Sequence, residues 1–147
     1  MWRNKNVDEI RLVNSCKVKV RFSEVDSMAV VWHGNYVKYL EDGREAFGLQ
    51  YGVGYNEIFA NGYMTPVVKM ELNYTRSVKY GEDLIVETTF VNSESAKIIF
   101  DYRILRALNN EVVLKARTVQ VFIDMQGIME LSKPAFYTEW KKKNGLI

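Results

Sequence analysis

Asp26 and His33, seven residues apart, have the types and spacing that could do chemistry on a carbonyl group. Asp26 lies in the polar segment Ser23-Glu24-Val25-Asp26-Ser27, which reads as a strand exit. His33 is the only histidine and stands directly before Gly34-Asn35, where helical spacing begins. A carboxylate can act as an oxygen nucleophile or activate one. The unpaired N–H groups at a helix start are suited to the negative charge that develops on a carbonyl oxygen. Taken alone, Asp26 is the residue an Asx turn uses, and a lone histidine is more often structural than catalytic.

Other chemistries find no matching constellation. A metal site has no second histidine, and Cys16, the only cysteine, is remote in sequence from His33. Glu41 and Glu45 stand one helical turn apart and read as surface charges with Arg44 and Lys38 as local partners. No G-x-S-x-G elbow is present, and Gly52-x-Gly54 lacks the third glycine and the strand-before, helix-after context of a dinucleotide motif. A net charge of +2 argues against a nucleic-acid footprint. Lys141-Lys142-Lys143 reads as the solvated face at the end of a helix.

A single cysteine forms no internal disulfide, so a reducing compartment and a cytoplasmic location are expected. Met1 to Leu12 mixes charges with few apolar residues and holds no signal-peptide core. Runs such as Met28 to Trp32 are too short to span a bilayer. The expected partners exclude nucleic acid and membrane insertion.

The elements that must position Asp26 and His33 follow from periodicity. Cys16, Val18, Val20 and Phe22 alternate with charged residues, which predicts a half-buried strand over 16–22. Asn35 is the expected N-cap of a helix of about four turns whose buried stripe is Tyr36, Leu40, Gly43 and Phe47, ended by Gly52 and Gly54. A helical turn is expected over 55–61, stopped by Asn61-Gly62. Strands are predicted at 65–75, 83–92, 97–105 and 112–123, the last three as an antiparallel meander. Ile98, Phe100, Tyr102 and Ile104 share one face, as do Leu84, Val86, Thr88 and Phe90. Strand, helix, then four strands is an α+β plan in which one sheet of about five strands wraps one helix. Residues 1–147 are expected to form a single domain with its core over about 15–124, and a short helix is predicted from Pro134 to Lys143 in the tail 125–147.

The run from Arg21 to Glu41, with its loop acid, apolar stretch, His33 and Asn35-Tyr36 leading into an acidic helix, resembles the opening motif of the 4-hydroxybenzoyl-CoA thioesterase family. The later run Arg76 to Leu84 is also similar, so the resemblance covers most of residues 15–124. It implies a hotdog fold, meaning a curved antiparallel sheet wrapped around one long central helix, with active sites at a dimer interface and frequently a homotetramer. By position it makes Asp26 the nucleophile or general base, and gives the His33 backbone N–H the carbonyl oxygen. Some other hotdog thioesterases use a helix acid, which keeps Glu41 in reserve. Bacterial members often carry tyrosine where this chain has Phe22, so a role for that hydroxyl is absent here and Phe22 reads as core.

The implied substrate is an acyl-CoA, with an acyl carrier protein thioester as the alternative and a non-catalytic acyl-binding domain as the second alternative. A hydratase would use its histidine on the acyl chain, whereas His33 sits in the thioesterase-type motif. Thiolate is a good leaving group, so no cofactor is expected beyond the coenzyme A of the substrate. Gly34, Asn35 and Tyr36 are candidate substrate-binding residues, Gly34 because a missing side chain permits close approach. Arg76, Lys79 and Lys97 are candidates for the CoA phosphates.

Overall fold

The computed structural model describes residues 11–147, so most of the reading of Met1 to Leu12 lies outside the described residues. The elements in chain order are β1 (Val13–Lys19), α1 (Tyr36–Tyr51), α2 (Tyr55–Ala60), β2 (Tyr63–Met64), β3 (Val67–Tyr74), β4 (Asp83–Val91), β5 (Lys97–Arg106), β6 (Val112–Val121), β7 (Ile123–Asp124) and α3 (Ala135–Lys143). Five strands form one antiparallel sheet in the order β1-β4-β5-β6-β3, and β2 pairs with β7. The meander β4-β5-β6 is the one the alternation predicts.

Each strand turns one apolar face inward because side chains alternate across the pleat. Leu84, Val86, Thr88 and Phe90 on β4, and Ile98, Phe100, Tyr102 and Ile104 on β5, are all buried. The helix meets them with Tyr36, Tyr39, Leu40, Gly43 and Phe47. Gly43 is required there, since an added Cβ would lie 2.6 Å from both Thr88 Oγ1 and Val86 Cγ1. The helix stops at Gly52, which takes φ 72° in the left-handed region that glycine adopts freely. This is the hotdog arrangement, one long helix wrapped by a curved sheet. Among the described residues no helix is long and apolar enough to cross a membrane.

Three local expectations need correction. The first strand runs over Val13–Lys19 instead of 16–22, because the chain turns into a 3-10 helix at Phe22–Glu24. That turn takes Phe22 off the buried face, leaving it 77% exposed and edge-on to Tyr80 at 5.7 Å, so it is not core. Lys141 is buried, not solvated: α3 folds back so that its Nζ donates to Ser93 O at 2.5 Å and lies 5.1 Å from the Tyr137 ring centre. Burial pushes its ammonium below the ordinary lysine range.

Candidate active site

The chain between β1 and α1 folds as a narrow hairpin laid against residues 78–80. Val25 bridges Val31, and Val30 bridges Lys79. Asp26 N–H donates to Val30 O at 2.9 Å, Trp32 N–H to Glu24 O at 3.0 Å, and Val31 N–H to Val78 O at 2.7 Å. At the tip, Ala29 N–H donates to Asp26 O, and Ala29 takes φ 61°, a left-handed conformation uncommon outside glycine.

Asp26 sits at that tip, exposed. Its Oδ1 accepts the Met28 N–H at 2.8 Å, the Asx turn that a loop aspartate makes by default. Among the described residues Oδ2 has no hydrogen-bond or ion-pair partner, so one carboxylate oxygen faces outward. No hydrogen bond joins Asp26 to His33. The two are offset by three residues along the paired strands of the hairpin, about 10 Å at the rise of extended chain.

His33, Gly34 and Asn35 form a 3-10 turn that runs directly into α1. Among the described residues the N–H groups of His33 and Gly34 have no acceptor, as the first amides of a helix generally do not. The exposed His33 ring lies tilted against Trp32, with centres 4.8 Å apart. At Gly34 an added Cβ would stand 2.1 Å from the Trp32 ring. Asn35 occupies the N-cap position but makes no side-chain cap; it is buried, and its Nδ2 donates to Glu24 O at 2.8 Å. Tyr36 is buried edge-to-face against Tyr39 and Tyr74, which makes it core.

Two residues that the motif does not single out hold this geometry. Glu24 Oε1 accepts from the Tyr39 hydroxyl at 2.9 Å and from the Arg21 N–H at 2.8 Å, while its carbonyl takes Trp32 and Asn35. The hairpin is thereby fastened to the first turn of α1. Burial and the bond to Glu24 push the Tyr39 hydroxyl far above the ordinary tyrosine range. Tyr74 on β3 donates to His33 O at 3.1 Å and anchors the other side of the turn.

Beneath the hairpin, Arg106 pairs with Glu82 and, at 3.0 Å, with Glu111, and donates to Ser77 O at 2.6 Å. Glu82 also takes the Lys79 N–H at 2.6 Å. Burial pulls the Glu82 carboxyl upward, but the Arg106 and Lys79 hydrogen bonds outweigh it and hold the group below its ordinary range. Arg76 and Lys79 lie on this segment beside the hairpin, Arg76 3.8 Å from Glu111. Lys97 does not join them. It begins β5, whose other end, Arg106, is the one near the hairpin, about 30 Å away along a ten-residue strand. Glu41 pairs with Arg44 at 3.8 Å, as expected of a helix surface, whereas Lys38 has no ion pair among the described residues.

A cavity of about 830 Å³ opens on the flank of α1, lined by Glu41, Arg44, Leu49, Phe100, Gln120 and Ile123 among others. Nothing in the sequence pattern announces it, because its walls come from α1, α2, β2, β5, β6 and β7.

Comparison with known proteins gives a consistent result. The model of the thioesterase-like superfamily matches residues 20–141. YneP of Bacillus subtilis, provisionally named an acyl-CoA thioesterase, is 27% identical over 128 residues, covering 87% of this chain and 92% of that protein. A chloroplastic acyl-acyl carrier protein thioesterase of Arabidopsis thaliana is 26% identical over 108 residues, 74% of this chain; the match spans only 57% of the plant protein. Among solved structures, the DHNA-CoA thioesterase of Staphylococcus aureus superposes with a TM-score of 0.80 at 23% identity, covering 89% of each chain, a likeness of fold.

Proposed function

From the premise that this chain belongs to the thioesterase-like superfamily, we propose that it hydrolyses acyl-CoA thioesters to free CoA and a carboxylic acid. The observation that carries this reading is the hairpin itself. It presents the outward Oδ2 of Asp26 and, past its base, the two free amide N–H groups of His33 and Gly34. In this mechanism the thioester carbonyl accepts from those amides, which stabilise the negative charge of the tetrahedral intermediate. Asp26 either attacks the carbonyl carbon itself, giving an acyl anhydride that water then hydrolyses to the carboxylic acid, or takes a proton from a water that attacks directly. In both routes the C–S bond breaks and CoA leaves as the thiolate. The offset of about 10 Å between the acid and the turn leaves room for a carbonyl with a water beside the carboxylate. His33 contributes its backbone, while its ring lies tilted against Trp32.

The exposed position of Asp26 and the open edge of β3, with Val68 and Tyr74 exposed, support a homodimer or homotetramer in which a second subunit covers the site. Light scattering on the eluted protein tests this; a monomer at micromolar concentration contradicts it.

The second reading keeps the bond and changes the carrier, an acyl carrier protein in place of CoA, and is favoured by the Arabidopsis relative. Free-thiol release from one acyl group on CoA and on carrier protein separates the two. Absence of thiol release from either carrier leaves only a non-catalytic acyl-binding domain.

A further inference from the structure

The cavity beside α1 has no part in the bond-breaking chemistry above, yet its position relates it to the acyl group. The helix packs chiefly over β1 and β4, and beside its flank Ile98 and Phe100 of β5 and Gln120 of β6 form part of the cavity wall. The floor there is apolar and buried, made by Val53, Ile58, Ile98 and Phe100. Charges stand at the rim, where Glu41 and Arg44 pair with each other and Glu45 is exposed. A volume of about 830 Å³ is in the range of cavities that enclose a whole small ligand.

The distance from the carbonyl-binding amides sets what can fill it. Glu41, at the near end, is eight residues past His33, about 12 Å along the helix axis, and Leu49 at the far end is about 24 Å away. An acyl group consisting of one aromatic ring, held by its carbonyl at His33, ends before the cavity begins. An unbranched chain of a dozen or more carbons reaches it and buries its methylenes against the floor, each contributing roughly 0.8 kcal/mol when fully removed from water.

We propose that this cavity receives the distal part of a long aliphatic acyl chain, so that the enzyme acts on acyl thioesters of a dozen or more carbons and not on aryl or short-chain ones. The proposal rests on the thioesterase reading and adds the substrate class to it. Met64 and Ile123 are register partners across the β2–β7 pair and both line the wall, so enlarging either narrows the cavity.

The test is thiol release from 4-hydroxybenzoyl-, butanoyl-, octanoyl-, dodecanoyl- and hexadecanoyl-CoA by the full chain and by Met64→Trp and Ile123→Trp. The expected result is a kcat/KM at least tenfold higher for dodecanoyl- or hexadecanoyl-CoA than for the aryl and butanoyl substrates. In each variant the ratio of hexadecanoyl to octanoyl turnover falls about tenfold. A preference for the aryl or butanoyl thioester overturns the proposal while leaving hydrolase activity intact. A long-chain ratio unmoved in a folded variant, or a variant that changes subunit association in place of selectivity, also overturns it and gives the cavity to a second copy of the chain. Thiol release from no substrate defeats the underlying thioesterase reading instead. Should both variants fail to fold, the chain-length series of the unmodified protein still decides.

Discussion

The Tyr39 hydroxyl, on a side chain only 1% exposed, donates to Glu24 Oε1 at 2.9 Å across fifteen residues of sequence. The bond ties the entry of the Asp26-bearing hairpin to the first turn of α1. Tyr39→Phe keeps the ring in the core and removes only the hydroxyl, leaving Glu24 with the Arg21 N–H. A hydrogen bond to a charged acceptor is worth about 1.5–3 kcal/mol, so urea denaturation is expected to show a loss of that order. Turnover falls with it, and KM changes less than kcat because the hairpin orients the acid. Glu24→Gln, which keeps an acceptor oxygen, recovers most of both; equal damage from Gln and Ala at position 24 contradicts the role.

Replacing Asp26 separates its two bonds. Asn in place of Asp keeps an Oδ1 that accepts the Met28 N–H, so the Asx turn survives and stability stays within about 0.5 kcal/mol. What is lost is the basic, outward oxygen. Thiol release by Asp26→Asn is expected to drop by at least 10²-fold, the scale of a general acid–base contribution. A folded Asp26→Asn protein with undiminished turnover removes the carboxylate from the mechanism.

Much of this molecule is readable from residue order, and the exceptions share a cause. The buried stripe Tyr36, Leu40, Gly43, Phe47 and the inward sets on β4 and β5 follow from period alone, since burial of one face enforces it. Phe22 keeps the strand period but falls where the backbone turns 3-10, and alternation does not carry through such a turn. Lys141 looks like one of three solvated lysines, but a carbonyl 48 residues earlier fixes its buried place. Glu24 and Tyr39 meet only because the hairpin doubles back onto α1. The cavity is assembled from several elements, and no local pattern encodes the space between them.

The charge network under the hairpin gives a signed pH response. Glu82 titrates below its ordinary value in the folded chain, held down by Arg106 and the Lys79 N–H against the opposing pull of burial. A depressed carboxyl stabilises the fold fully above the unfolded carboxylate value of about 4.3, and this contribution is lost as pH falls through the folded value. Glu82→Gln is therefore expected to be less stable than the unmodified chain at pH 7, with the difference shrinking as pH drops below about 4. Urea midpoints compared at pH 7 and pH 3.5 check this; a constant difference at both rules out the linkage.

Of the three cations proposed for the phosphates of a CoA thioester, Lys79 is the one that is beside the hairpin and without an ion pair among the described residues. Its backbone bridges Val30 in the acid-bearing hairpin, its side chain is exposed, and among the described residues its ammonium has no carboxylate partner. Arg76, close by, is already engaged with Glu111, and Lys97 stands at the far end of β5. Removing a charge that meets a phosphate at the surface costs about 1 kcal/mol, a factor of roughly five in affinity, and the contact weakens as salt screens it. Lys79→Ala is thus expected to raise KM for an acyl-CoA about fivefold at low ionic strength, with the gap closing near 0.5 M salt. For the same acyl group on a short thiol without phosphates, KM should barely move. A comparable rise on that truncated thioester assigns Lys79 to the shape of the hairpin and not to recognition of the carrier.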